Sequence, residues 1–292
     1  MYDVAVLITG ETGTGKEVFA RALHYLSPRS EGAFTPVNCG AIPADLMENE
    51  LFGHEEGAYT GAHTSKPGIV QESDGGTLFL DEVDSLSPLA QVKLLRFLQE
   101  KEYRPLGSTR VRKSDIRLIA AANSNVEKAL SDGKLRQDLF YRLNIAHLVL
   151  PPLRSRHGDI PILARHFLTK YAAQFKKDVR ELSREAIRTL TFYHWPGNVR
   201  ELENALEMAV ILTQSETIQA EDIILPQANP LRDTRRSFRE QKQEIVAKFE
   251  RSLIEDLLVS SNGNVTKAAR TAGKNRRAFL QLMHKHGIKA QS

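Results

Sequence analysis

The feature that most restricts what this chain can fold into is GETGTGKE (residues 10–17), set directly behind the apolar run VAVLIT (4–9). Glycines at positions 10, 13 and 15 let the backbone curl with its N–H groups facing inward, and Lys16 stands where its ammonium reaches terminal phosphates. A helix starting at that point adds its N-terminus to the same anion site. GxxxxGK behind a strand is a phosphate-binding signature. Its last position is unusual here. The signature normally ends in Ser or Thr, whose hydroxyl ligates Mg2+, and this chain has Glu17. The spacing alone also arises by chance.

A second signature lies downstream. In TLFLDE (77–82) an apolar strand delivers Asp81 and Glu82 at its C-terminal end, where open α/β sheets bind ligands. Asp81 is suited to hold Mg2+, directly or through water, and Glu82 to orient and polarise an attacking water. Two acids after a strand also serve as a helix cap. Their order and distance behind the phosphate loop favour the catalytic reading.

Apolar runs at 4–9, 35–39, 77–82, 116–123 and 147–153 recur with helical segments between them. Their near-continuous hydrophobicity predicts buried strands of a parallel sheet covered on both faces. Ser87 and Pro88 start a helix whose apolar stripe reads as Leu89, Val92, Leu95 and Leu98. Strand–helix alternation of this kind predicts an α/β domain. After Pro152 the strand signals stop, and 159–175, 183–193 and 197–214 predict helices. The polar stretch 227–242 reads as a linker. The expected organisation is an α/β subdomain over 1–154, a helical subdomain over 155–226, a linker over 227–243 and a small all-α domain over 244–292.

Charge divides along the same line. Of the net +4, residues 227–292 carry 14 Lys and Arg against 6 Asp and Glu, leaving residues 1–226 mildly acidic. A basic C-terminal unit fits a polyanion-binding face, and it equally fits a solvated basic surface. Within it, VTKAARTAGKNRRAFLQLM (265–283) reads as two helices turning at Gly273, a helix-turn-helix pattern. Arg276, Arg277, Gln281, His284 and Lys285 fall on polar positions of the second helix, with Phe279, Leu280 and Met283 facing inward. N-terminal arginines there suit guanine edges or phosphates of double-stranded DNA. A three-helix bundle without that role has the same pattern.

The lone Cys39 excludes an internal disulfide framework and fits a reducing compartment. No apolar run approaches a membrane span, and the opening MYDVAVLITG lacks a basic region ahead of an apolar run. A cytoplasmic location without membrane contact is expected.

One stretch is not explained by phosphate chemistry. GHEEGAYTGA (53–62) holds three glycines and two alanines around a single aromatic, Tyr59. It makes a poor helix and a poor strand, so it predicts a loop or the tip of an insertion. Downstream, LRQDLFYRL (135–143) sets Arg136 and Arg142 six apart between anchored leucines. Such pairs are commonly surface salt-bridge residues.

Taken together, these motifs resemble the AAA+ ATPase domain of the bacterial sigma-54-dependent transcription activators, the enhancer-binding proteins. GAYTGA (57–62) is similar to the family's GAFTGA loop, GETGTGKE to its phosphate loop with Glu17 in its usual place, and GGTLFLDE (75–82) to its acidic strand. LRQDLFYRL, PPLRSR (151–156) and WPGNVREL (195–202) also match. The resemblance implies a P-loop fold with a helical lid and a C-terminal Fis-type helix-turn-helix. It implies an ATPase in which ATP is held by Gly10, Glu11, Thr12, Gly13, Thr14, Gly15, Lys16 and Glu17, with Mg2+ at Asp81. Asn38 would switch Glu82 between engaged and idle states, Asn123 and Arg200 would sense nucleotide, and Arg136 and Arg142 would act across subunits of a homo-oligomeric ring, usually a hexamer. Gly57, Ala58, Tyr59, Thr60, Gly61 and Ala62 would contact the sigma-54 factor bound to RNA polymerase. Two departures stand out. Ala122 occupies a position where the family commonly has Thr, and Lys274 and Asn275 replace its usual residues after the turn glycine, so no base preference carries over. The family also carries a segment, and usually a regulatory domain, ahead of the first strand, where this sequence begins. Rival readings are a DNA-binding regulator that keeps the fold without productive ATP-driven activation, and a general AAA+ remodelling ATPase.

Overall fold

The computed structural model describes residues 3–225 apart from 124 and 157, and beyond them residues 254, 257, 258, 261, 264–285 and 288. The chain divides into two compact units, Met1–Ile224 and Leu225–Ser292.

The first unit is built on a five-stranded parallel sheet. From one edge to the other its strands are Phe34–Asn38, Thr77–Asp81, Arg117–Ala122, Val6–Thr9 and Ala146–Val149. The middle three strands are almost wholly buried, and alternate residues feed two cores. Leu7, Leu78, Leu80 and Leu118 pack on one face with Leu51, Phe52, Leu94 and Phe97, while Ile8, Phe79, Ile119 and Ala121 pack on the other with Ala20 and Leu150. Burial of each such side chain contributes roughly 1.5–3 kcal/mol. This is why these strands read as unbroken apolar runs.

The outer strands depart from that expectation. Phe34–Asn38 is half-buried, and Ala146–Val149 is an edge strand with Val149 67% exposed. The latter stops before Pro151 and Pro152, which lack ladder N–H donors, and Leu153–Ser155 turns as a 3-10 helix instead of extending the strand. The Pro88–Glu100 helix is capped by Ser87, whose hydroxyl accepts from Ala90 N, but its buried face differs from the expected stripe. Ala90, Gln91, Leu94, Phe97 and Leu98 are inside, whereas Leu89 and Val92 are exposed. A repeat of three lags the 3.6-residue turn and walks off the core, and the spacing of Ala90, Leu94, Phe97 and Leu98 stays on it.

Two small hairpins, absent from the sequence reading, pair Gly53–His54 with Lys66–Pro67 and Glu102–Tyr103 with Arg112–Lys113. Helices Asp159–Phe175, Arg184–Phe192 and Asn198–Leu212 form the lid, with a short parallel pair, Glu181–Leu182 and Thr217–Ile218, that was also not foreseen. Fully buried Trp195 anchors the lid, its indole N–H donating to Leu190 O at 2.8 Å.

In the second unit Asn264 caps the Val265–Thr271 helix by accepting from Thr266 N and Lys267 N. Gly273 takes φ +65° in the turn, and Arg276–Lys285 follows. Ala268, Ala269, Phe279 and Met283 are buried together with Ile254, and Leu280 packs at the margin. The expected linker at 227–243 lies outside the described residues.

Candidate nucleotide site

The strand order places the catalytic candidates. Val6–Thr9 lies beside Arg117–Ala122, its Thr9 level with Ala122, and Asn38 is level with Asp81 in the neighbouring pair. The C-terminal ends of these strands therefore align, and the phosphate loop leaves the sheet beside the last residues of its neighbours. A cleft of about 500 Å³ opens there, lined by Thr12, Gly13, Gly15, Lys16, Glu17, Asn38, Asp81, Glu82, Asn123 and Arg200 among others. Ten residues singled out in the sequence thus meet at one site.

Gly13 and Gly15 take φ +79° and +95°, conformations that a side chain strains, and Lys16 opens the helix Lys16–Tyr25. The Lys16 ammonium donates to Gly10 O at 2.9 Å and Glu11 O at 3.2 Å. Burial lowers its pKa, and the charges of Asp81, Glu82 and Asp84 oppose that shift. Glu82 sits in the left-handed region at φ +55°, an unfavourable conformation for a non-glycine residue of the kind held at functional sites. Its carboxylate packs so closely on Gly40 that a Cβ there would collide with Oε2. Asn38 Oδ1 accepts from Gly40 N at 2.8 Å and Ala41 N at 3.1 Å, so its amide is fixed beside the same glycine.

Some residues assigned to the nucleotide do other work. Glu11 turns its carboxylate to Arg154, with two bonds of 2.6 and 2.8 Å. The Arg154 guanidinium is the main reason its pKa falls to about 2. The ion pair is therefore complete above the ordinary glutamate range and is lost only as pH falls toward 2. Gly10 and Thr14 shape the loop without lining the cleft, the Thr14 hydroxyl donating to Glu11 O at 2.8 Å. Glu17 pairs with Arg21 at 2.7 Å. Arg136 and Arg142 do not line this chain's own cleft. Arg136 is exposed and paired with Asp138, and Arg142 donates to Leu98 O at 3.2 Å.

Sequence reasoning missed Asp84 and Gln91. Asp84 lines the cleft, and its Oδ1 is buried without a protein hydrogen-bond partner. The signal was the third acid in LDEVD, three residues after Asp81. Among the described residues no three His, Cys, Asp or Glu side chains gather as a metal cage. One or two carboxylates beside a phosphate cradle, with an unpartnered buried oxygen among them, suit Mg2+, which keeps several waters and shares its ligands with phosphates. Buried Gln91 spends its amide on Leu86 O and Lys134 O and accepts from Arg136 N at 2.8 Å, pinning the arginine segment to the Pro88–Glu100 helix.

The GAYTGA segment closes on itself. Gly57 N donates to Ala62 O at 2.8 Å, and Gly57 and Gly61 take φ +78° and +102°. Tyr59 is 47% exposed, its ring 5.2 Å from that of buried His54. Thr60 and Gly61 are exposed, Ala58 is half-buried and Ala62 is buried. The second hairpin braces the base: Leu106 bonds Glu55 N and Gly53 O, and Gly107 lies against Ala58. In the second unit Arg276, Arg277, Gln281 and Lys285 are exposed on the Arg276–Lys285 helix, and Asn275 Oδ1 caps it through Ala278 N.

Comparison with known proteins agrees with this geometry. A sigma-54 interaction domain matches residues 1–149 and an AAA+ ATPase lid domain residues 154–243. The regulatory protein AtoC of Escherichia coli is 43% identical over 98% of this chain and 63% of its own length. The transcriptional regulatory protein GlrR of the same organism is 45% identical over 99% of this chain and 64% of its own. The structure of NtrX from Brucella abortus in complex with ADP superposes with a TM-score of 0.72 at 31% identity, over 98% of this chain and 65% of that one. The chain thus spans under two-thirds of the length of these relatives. With a parallel sheet, phosphate loop, lid and GAYTGA segment in place, the chain belongs to the AAA+ proteins that carry the sigma-54 interaction domain.

Proposed function

We propose that this chain is the motor and DNA-binding part of a sigma-54-dependent transcription activator, which hydrolyses ATP in a ring to remodel RNA polymerase held by sigma-54. The observation that carries the reading is the presence, in one compact unit, of a phosphate-loop cleft with Asp81, Glu82 and Arg200 and of a braced GAYTGA loop with a half-exposed Tyr59.

In this reading the loop N–H groups and Lys16 bind the phosphates, and Lys16 exchanges its carbonyl partners for them. Asp81 and Asp84 would hold Mg2+, which when bound would neutralise phosphate charge. Glu82 accepts a hydrogen bond from the attacking water and takes its proton, and Asn38 orients that carboxylate. Asn123 and Arg200, which both line the cleft, report whether the terminal phosphate is present. Arg136 and Arg142 complete a neighbour's cleft, which accords with their absence from their own. The Arg276–Lys285 helix enters the major groove, with Arg276 and Arg277 at its leading end.

ATP turnover measured against protein concentration tests the motor. A steep, cooperative rise is expected, reduced by about 10³-fold or more in Arg136→Ala, the scale of an arginine supplied in trans. Turnover per chain that is independent of concentration and indifferent to Arg136 would contradict the ring.

A further inference from the structure

We infer that Glu11, Arg154 and Asn198 form a clasp that locks the tip of the lid to the outer side of the phosphate loop, so that these three are positioning residues. The inference rests on reading the cleft as a nucleotide site and adds how the lid is coupled to it.

A phosphate loop turns its N–H groups toward the anion, which leaves its carbonyls pointing outward and in need of partners. In this chain three successive carbonyls find them in residues that follow the sheet. Thr12 O accepts from Asn198 Nδ2 at 3.0 Å, Gly13 O from Val199 N at 2.9 Å and Thr14 O from Arg156 Nη2 at 3.3 Å. Asn198 Nδ2 also reaches Glu11 Oε2 at 3.2 Å, and its Oδ1 accepts from Leu153 N at 2.8 Å. One amide thereby ties the loop, the Leu153–Ser155 turn and the lid helix together. Asn198 is fully buried at φ +53°, a conformation that Asn tolerates better than most residues. The fit leaves no slack, because a Cβ on Gly13 would collide with Gly197 O.

Two residues beyond Asn198 stands Arg200, which faces the cleft. Rotation of the lid tip must either drag the phosphate loop with it or break this whole set of bonds. The loop and the WPGNVR tip therefore move as one body, and a displacement of Arg200 on loss of the terminal phosphate reaches the loop through the clasp. The bidentate Glu11–Arg154 pair sets the angle of that body, since a planar fork accepts a carboxylate in few orientations.

The test is a double-mutant cycle on the full chain with Glu11→Gln, Arg154→Gln and the pair, reading the Kd of magnesium N-methylanthraniloyl-ATP together with KM and kcat. Each single variant is expected to weaken binding about 10- to 100-fold, as loss of a supporting residue around a ligand shell does, with kcat within about threefold of wild type. The double variant is expected to match the singles. A merely structural pair would lower the melting temperature and leave Kd unchanged, and that outcome, or full additivity, overturns the inference. If Arg154→Gln does not fold, Arg154→Lys keeps the charge without the fork, and a wild-type Kd in that variant overturns it equally. Wild-type chain that binds the probe but never hydrolyses ATP would defeat the motor reading and leave the cycle intact. Wild type that fails to bind the probe defeats both.

Discussion

Gly40 shows how one missing side chain makes room for the proposed general base. The Glu82 carboxylate occupies the space a Cβ would fill, beside an Asn38 amide already fixed by the turn at Gly40 and Ala41. Gly40→Ala must push Glu82 away without touching the phosphate loop. A fall in kcat of about 10²-fold, the lower range for loss of a general base, is expected with nucleotide Kd held near wild type, measured by turnover and by titration. That Asp81 and Glu82 line the cleft was readable from TLFLDE, because an apolar strand of an open α/β sheet delivers them at its C-terminal end, where such sheets bind ligands. Gly40 was not, since its value depends on which strand lies next to which. Glu11 misled for the same reason: its place in the loop is visible in the sequence, and the direction of its side chain depends on Arg154, which lies 143 residues away.

Among the elements, the parallel strands and lid helices were legible because each repeats one chemical pattern over many residues. The Asp159–Phe175 helix falls at its expected bounds. The braced hairpins were not legible, because two-residue strands carry no periodicity and are held by a few long-range bonds. Gly107, at φ +74°, is where the second hairpin lies against Ala58 of the loop. Gly107→Ala is expected to cost roughly 1–2 kcal/mol of stability from the left-handed backbone alone, visible as a lower melting temperature. More specifically, it should uncouple the loop: promoter opening falls while ATP turnover, whose cleft is lined by other residues, stays within about twofold of wild type. Equal losses of both activities would show that the hairpin serves the cleft rather than the loop.

For the whole molecule, the contrast between a mildly acidic first unit and a basic second one fits the proposal that the second unit meets DNA. Salt-dependent DNA affinity should separate the exposed cations of the Arg276–Lys285 helix. Lys285→Ala is expected to weaken binding evenly across sequences and reduce the salt slope by about 1, while Arg276→Ala relaxes sequence choice at about 1–3 kcal/mol. Identical effects from both would contradict that division. The measurement that bears most directly on the whole reading is formation of open promoter complexes by sigma-54 RNA polymerase, with wild-type chain, Glu82→Gln and Tyr59→Ala compared at saturating ATP. Opening by wild type alone is expected, with Glu82→Gln failing for lack of hydrolysis and Tyr59→Ala failing despite near-normal turnover. Opening that persists in Tyr59→Ala, or that proceeds in Glu82→Gln, would contradict a motor that works on polymerase through the GAYTGA loop.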